Sequence, residues 1–545
     1  MNKVAHYLQQ HLVGEVLTSS EVLRYFSTDD SIFEIKPLLV VHPRNENDLR
    51  KAARFSWQLA ERGRVVPITM RGKGCDQTGA ALGSGIVLST PAHMNKIIEL
   101  DPKSGVVTVQ AGVNAAKLQQ TLHTHGRFLP SLSDTAEYTT IGGAVANNEA
   151  GRDSYKYGPI REHTTGMRVV LANGELIRTS RLSKRELGKK LGLASFEGQV
   201  YREMDKLIED NIDVIESLED LSARSNVGYA ITDVKLKDGS FDLTPLFVGS
   251  QSTLGLMSEI TLETQIYDPA HTLQIVMFND RKAAFEAVQK INQLKQSPAC
   301  VDFIDKTVLE HVRRVNPSLL KSTIGGENPE IVLFIKLEQT SGLLRGRSKK
   351  ALKKIFEQAE AEVIIPATEA RESWEVVRDS VSYALTHDDG HIKSLPIVSD
   401  AVVPVDKMVE FMDRATVLLE KFSRKPFVFW GQAGSGIIRT ATPYNVSEVG
   451  DRQKMFKLID EYYNLVAEVG GSVSGSSAEG RLRASQVYKT MTPEVLDLMQ
   501  KIKKIFDPFN TLNPGVKIDV DIDRLKTHIR SNYSLEHQHS HLPRG

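Results

Sequence analysis

Cysteine is nearly missing from this chain of 545 residues: Cys75 and Cys300 are the two it has. Two thiols cannot build a disulfide framework, nor a Cys-ligated zinc or iron–sulfur centre. Charge of one sign is also missing, since 68 Lys and Arg balance 68 Asp and Glu. No global positive field exists to gather polyanions, so nucleic acid is not expected as a partner. Nowhere does the chain run through the roughly 20 apolar residues of a membrane span. Its opening, MNKVAHYLQQHLVGEV, is too polar for a secretory signal. The expected location is the cytoplasm, with a peripheral place at the membrane as the alternative. What is present is ordinary globular material, 41% hydrophobic and 25% charged, enough for two or more domains.

Residues 1–35 read as a lead-in, with helix-like spacing from Lys3 to Tyr25 and a turn at TDDS (28–31). Residues 36–265 alternate short β-rich runs with glycine loops: LLVVH, RVVPITM, GIVLST, VVTVQAG, MRVVLANG and LFVGS. A helical pattern, NENDLRKAARFSWQLAERG, sits among them. Residues 266–500 repeat the alternation with other loops, and the whole is α+β in texture. PEVLDLMQKIKKIFDP reads as a helix stopped by Pro508, 501–518 as a terminal segment, and 519–545 as a poorly ordered tail.

The chemistry begins at PITMRGKGCDQTGAALGSGIVLST (67–90). A dinucleotide fingerprint must open a helix, whereas Gly72, Gly74 and Gly79 lead into another β-rich run. No GK[ST] closes the loop, which excludes a Walker A motif. A cradle of free N–H groups for a pyrophosphate, with Arg71 adding charge, remains open. A ligand-free glycine hairpin accounts for the same stretch equally well.

A second run, TIGGAVANNEAGRDSYKYGPIREHTTGMRVVLANGELIRT (140–179), is too orderly for a linker. Paired with RGKGCDQTG, it resembles the FAD-binding domain of the vanillyl-alcohol oxidase or PCMH-type flavoproteins. The nearer resemblance is to the D-lactate dehydrogenase, glycolate oxidase and D-2-hydroxyglutarate dehydrogenase branch, through VGSQSTLGLMSEITLET (248–264) and IFDPFNTLNPGVKI (505–518). Four motifs in order, over roughly 35–518, carry it. The resemblance implies an α+β protein: a two-subdomain PCMH-type FAD-binding domain over 36–265 and an α+β substrate (cap) domain over 266–500, with 501–518 returning to the flavin site. It implies FAD held by Arg71, Gly72, Lys73, Gly74, Cys75 and Gly79, by Thr140, Gly142, Gly143, Asn147 and Gly151, and by Asn513. Relatives with covalent flavin often carry a histidine where this chain has Cys75, so FAD is expected to be non-covalent, with a cysteinyl link as the alternative.

In the metal-dependent branch, the loops matching GQAGSGIIR (431–439) and SGSSAEGRLR (474–483) carry histidines and a Glu-His pair. Here Gln432 and Arg439 replace the histidines, and Ser476 and Ser477 the pair. Amide, hydroxyl and guanidinium are poor or impossible ligands for a borderline divalent ion, so no metal is expected. Arg378, in SWEVVRDSVSYAL, falls where the branch grips a substrate carboxylate, Lys393 is a weaker second, and Arg439 is a candidate fixed cation. For the proton of the substrate hydroxyl, His387 and His391 in THDDGHIK are the candidates; ligation of a metal by HDDGH is the lesser alternative. The expected activity is FAD-dependent and metal-free hydride transfer from the CH–OH of a small 2-hydroxy acid of D-lactate or glycolate type. The alternatives are a non-carboxylate alcohol, polyol or aldehyde as substrate, or a non-catalytic flavin-binding subunit. Electrons would leave to oxygen, a quinone or a partner protein.

Overall fold

The computed structural model describes residues 3–133, 135–218, 225–316, 318–319, 327–338, 342–385, 393–423 and 427–533. The expected helical lead-in divides into a helix Lys3–His11, strand β1 (Glu15–Leu17) and a helix Ser20–Tyr25. Gly14 is the break, because a Cβ there would lie 2.2 Å from the carbonyl oxygen of His42. β1 pairs antiparallel with β2 (Leu39–His42), whereas β3 (Ile68–Arg71) and β4 (Ile86–Ser89) run parallel to β2, in the order β1-β2-β4-β3. The crossover from β2 to β3 is the helix Glu46–Glu61, capped by Asn45 and burying Leu49, Ala52, Ala53 and Ala60. Val4 and Leu8 join the same core, so the lead-in is part of the first sheet.

The second sheet is antiparallel: β5 (Ile97–Asp101), β6 (Val106–Gln110), β8 (Thr164–Val170), β9 (Leu176–Thr179) and β10 (Leu256–Glu263), in the order β5-β6-β10-β8-β9. β7 (Arg127–Phe128) pairs apart with β11 (Gln265–Ile266). The stretch LFVGS, expected as β, instead ends a short helix Thr244–Phe247 with Pro near its first position, where a missing N–H costs nothing.

The third sheet comprises β12 (His271–Phe278), β13 (Cys300–Asp305), β14 (Ile331–Glu338), β15 (Glu362–Ile364), β16 (Lys393–Leu395), β17 (Ala401–Val402), β18 (Val428–Gln432) and β19 (Ile437–Tyr444). Its order is β15-β12-β14-β13-β18-β19-β16, with β17 also on β19. Alternation along these strands makes two different faces. Val301, Phe303 and Phe429 pack with Phe285, Phe411 and Tyr462 of the covering helices. Ile304, Phe334 and Ala441 turn the other way, to Trp374 and Val377 of the helix Thr368–Leu385. This second face looks toward the first two sheets.

Polar ties hold the halves together: Lys156 and the Tyr157 hydroxyl both reach Glu338, and Lys336 Nζ lies 2.7 Å from Asp153 Oδ2. The helix Pro493–Phe506 leaves the third sheet and packs Val495, Leu498, Ile502 and Phe506 into the core of the second. Residues 519–533, expected as a loose tail, are docked. They form a helix Ile522–Thr527 and bury Leu525, Ile529 and Tyr533, while Arg530 Nη1 donates to the carbonyls of Asp29 and Ser31. The apolar spacing of Leu525, Ile529 and Tyr533 was the signal for this in the sequence.

Candidate active site

A cavity of about 850 Å³ lies between the glycine loops of the first half and the second face of the third sheet. Since β3 and β4 are parallel, the loop between them is no hairpin; the chain must travel back along the strand, and it does so beside the cavity. Gly72, Lys73, Gly74 and Cys75 line that wall. Gly74 has φ +83°, and a Cβ on Gly72 would meet Thr140 Oγ1 at 2.4 Å, so the two loops touch backbone to side chain.

Thr140 caps the short helix Ile141–Ala146 by accepting from Gly143 N–H at 3.1 Å. Thr140, Gly143, Asn147 and Gly151 line the cavity. Asn147 joins the first loop by donating to Asp76 Oδ1 at 3.5 Å, and accepts from Gln251 Nε2 at 2.8 Å.

Several expected cofactor residues stand behind this wall. Arg71 is buried, and its guanidinium donates to the carbonyls of Phe26 (3.4 Å) and Thr28 (2.8 Å) and lies over the Phe26 ring, so its charge is spent on the lead-in. Lys73, which does line the cavity, donates to Glu137 O at 2.8 Å, and burial draws its ammonium below the ordinary lysine range. Gly79 packs on Phe33, and Gly142 lies against the backbone of Ala111. Asn513 is buried; its amide donates to the carbonyls of Ala80 and Gln251 at 2.9 and 2.8 Å, holding wall to wall. Cys75 lies 3.4 Å from Thr139 Oγ1, and burial, with Asp30 beside it, pushes its thiol up to about 12. A thiol held neutral is a poor nucleophile.

The opposite wall is the third sheet. Ile304, Trp430 and Arg439 pair across β13, β18 and β19 in one row, and all three line the cavity with Asp302 and Ala441. Arg378 enters from the covering helix, its guanidinium 5.6 Å from the Phe334 ring centroid. Lys393 does not line the cavity, although Ser394 does; strand alternation turns these neighbours to opposite sides. His387 and His391 lie outside the described residues.

Gln432, Arg439, Ser476 and Ser477, the four substituted positions, all line the cavity. Gln432 Nε2 donates to the carbonyls of Ala150 and Gly151 at 3.0 and 3.1 Å, tying the oxidase loop to the second glycine loop. Arg439 Nη2 donates to Ser476 Oγ at 2.6 Å. Ser476 and Ser477 both bond to a residue that sequence reasoning missed, Asp400, which also pairs with Arg483 at 2.9 Å. Burial opposes ionisation of Asp400, but Arg483 and Arg439 outweigh it and hold the carboxyl below its ordinary range. Among the described residues, no three His, Cys, Asp or Glu side chains come together as a metal-holding group. Trp430 and Asp302 were also missed, because one Trp or Asp in an apolar run carries no periodic signal.

Residues 37–180 match the FAD binding domain, and residues 268–516 match the FAD linked oxidases, C-terminal domain. The D-2-hydroxyglutarate dehydrogenase of Escherichia coli (strain K12) is 26% identical over 537 residues, covering 94% of this chain and 51% of that protein. The chain thus spans about half the length of that relative. Glycolate oxidase subunit GlcD of Bacillus subtilis (strain 168) is 25% identical over 491 residues, 89% of each chain. D-lactate dehydrogenase of Anaerostipes hadrus is 26% identical over 470 residues, 83% of this chain and 84% of that one. Among solved structures, p-cresol methylhydroxylase with substrate bound superposes with a TM-score of 0.69 at 16% identity, covering 96% of this chain and 97% of that one. The 4-ethylphenol oxidase of Gulosibacter chungangensis follows at 0.68 and 13%, covering 94% and 96%. These two likenesses establish the PCMH-type fold. With both domain models matched in order along most of its length, the chain belongs to the FAD-linked oxidases, an FAD binding domain followed by the oxidase C-terminal domain.

Proposed function

We propose that this protein is a FAD-dependent oxidoreductase that takes a hydride from the CH–OH carbon of a small 2-hydroxy acid without a metal ion. The observation that carries this reading is that Arg378 and Arg439 line the same cavity as the glycine loops. The loops suit FAD: Gly72, Gly74, Gly143 and Gly151 bring backbone to the cavity surface, and Thr140 and Asn147 fix it. FAD bound there supplies the hydride acceptor. The neutral Cys75 thiol favours non-covalent binding.

Arg378 offers a planar donor fork to the substrate carboxylate. Arg439 sets a fixed positive charge at the oxygen where negative charge develops, the task a divalent ion performs in metal-dependent chemistry. The hydroxyl proton falls to His391, outside the described residues, or to Asp302, a buried carboxylate on the cavity face. With Cys75 and Cys300 both free, electrons leave to oxygen, a quinone or a partner protein rather than along an internal iron–sulfur chain. No described helix is long and apolar enough to cross a membrane, and we place the activity in the cytoplasm or at a membrane surface.

A second reading rests on the apolar wall of Ile304, Val376, Trp430 and Ala441, which suits a neutral alcohol. The two separate in one experiment: the flavin spectrum of the reconstituted protein before and after anaerobic addition of D-lactate, glycolate, D-2-hydroxyglutarate or neutral alcohols. Bleaching by a hydroxy acid that survives chelator treatment is expected. Bleaching by neutral alcohols alone moves the assignment to the second reading.

A further inference from the structure

Arg439 has a long, flexible side chain, and a cation that wanders among rotamers cannot serve as a fixed charge. What holds it is built from three separate segments. Asp400 directly precedes β17, whose pairing with β19 sets Ala401 opposite Ile438 and so brings Asp400 beside Arg439. Val402 and Ser472 exchange backbone hydrogen bonds at 2.8 and 2.9 Å, which draws the loop 474–477 onto the same point.

Asp400 stands at φ +73°, a left-handed conformation that Asp tolerates better than most residues. From there Oδ1 accepts from Ser476 N–H at 2.9 Å and from the Ser476 hydroxyl. Oδ2 accepts from the N–H groups of Gly475 and Ser477 at 3.3 and 3.0 Å, from Ser477 Oγ at 3.2 Å, and from Arg483 Nη1 at 2.9 Å. Since the Ser476 hydroxyl gives its one proton to Asp400, its oxygen is left to accept from Arg439 Nη2. Arg439 Nε is itself 3.9 Å from Asp400 Oδ1. Arg483 is buried at the cavity wall, with its guanidinium bonded to Asp400, Ser399, Ser477 and Ala478. Arg439 keeps about a third of its side chain exposed to the cavity. Of the two arginines on this carboxylate, Arg483 is bonded into the loop and Arg439 presents the more exposed guanidinium to the cavity.

We infer that Asp400 is the positioning residue of the site, fixing Arg439 through the Ser476 hydroxyl so that its guanidinium is a preformed anion-binding group in the cavity. This rests on the reading of Arg439 as a working cation, and the experiment separates the two. Oxalate, a dicarboxylate without a transferable hydride, is titrated into FAD-loaded wild type, Ser476→Ala, Arg439→Ala and the double variant, with the flavin difference spectrum as readout. Ser476→Ala is expected to weaken oxalate binding about tenfold in the wild type and not at all once Arg439 is gone. An equal effect in both backgrounds overturns the inference and leaves the reading of Arg439 as a working cation standing. Oxalate binding that ignores Arg439→Ala overturns the reading of Arg439 as a working cation. Crystal structures of wild type and Ser476→Ala then decide positioning alone: a displaced Arg439 guanidinium supports the inference, and an unmoved one overturns it. Asp400→Asn, which tolerates the same backbone and keeps the shape, is expected to reproduce the Ser476→Ala displacement.

Discussion

Gln251 and Asn147 are locked to one another, Gln251 Nε2 donating to Asn147 Oδ1 at 2.8 Å. The same Gln251 accepts from Gly480 N–H at 2.9 Å and passes its backbone carbonyl to Asn513. One amide side chain therefore joins the second glycine loop to the loop 474–483 of the oxidase domain, from a backbone position at φ +50°. Gln251→Ala leaves the buried Gly480 N–H unpaired, at a cost of about 1–3 kcal/mol, and frees the half-buried Asn147 amide oxygen. The expected result is FAD bound on the order of tenfold to a hundredfold more weakly, read by fluorescence titration of the apoprotein. Unchanged affinity would show that the loops hold their shape without this tie.

The acid pair under the first loop predicts a pH dependence. Asp29 and Asp30 are buried; burial, with Asp76 against Asp29 and Asp29 against Asp30, raises them to about 7 and about 8. A carboxyl raised on folding holds its proton in the folded state after the unfolded chain has lost it, so stability falls as pH rises from about 4 through these values. Asp30→Asn removes that penalty. Its melting temperature is expected to exceed that of the wild type at pH 8 and to approach it at pH 5. A difference independent of pH would mean that the charge of Asp30 plays no part.

The parts that sequence reading reached and those it missed differ in physical kind. The strands of RVVPITM and GIVLST and the helix Glu46–Glu61 follow from local periodicity, which the fold keeps. The glycine loops and the replaced ligands were found through motifs, because backbone that approaches a ligand needs particular residues in a fixed order. Arg71 and Lys393 show the limit: a cation near a motif does not reveal which way its side chain turns, and Arg71 turns to Phe26 and Thr28. Asp400 was out of reach altogether. Its partners come from residues 439, 475–477 and 483, and only the pairing of β17 with β19 brings them to it.

Asp302 and His391 are the two acceptors proposed for the substrate's proton, and Asp302→Asn discriminates. Asparagine keeps the size and removes the basic oxygen. If Asp302 is the acceptor, the rate of flavin reduction in stopped flow is expected to fall by a factor of about 10²–10⁴, with FAD content unchanged. A fall of less than a few-fold, alongside a large loss in His391→Asn, assigns the role to the histidine.

Arg378→Ala tests the substrate class. The guanidinium is placed over the Phe334 ring, at the cavity wall. A charge-assisted fork to a carboxylate is worth more than a neutral hydrogen bond, and its loss is expected to lower kcat/KM for a 2-hydroxy acid by roughly 10²–10³. The same substitution should leave turnover of a neutral alcohol within a few-fold, because no carboxylate is there to lose its partner. Arg378→Lys keeps the charge and discards the planar fork, so it is expected to recover only part of the hydroxy-acid activity. Equal losses on acid and alcohol would mean that Arg378 holds the covering helix in place through Phe334, and the carboxylate would then have to be sought at Arg439 alone.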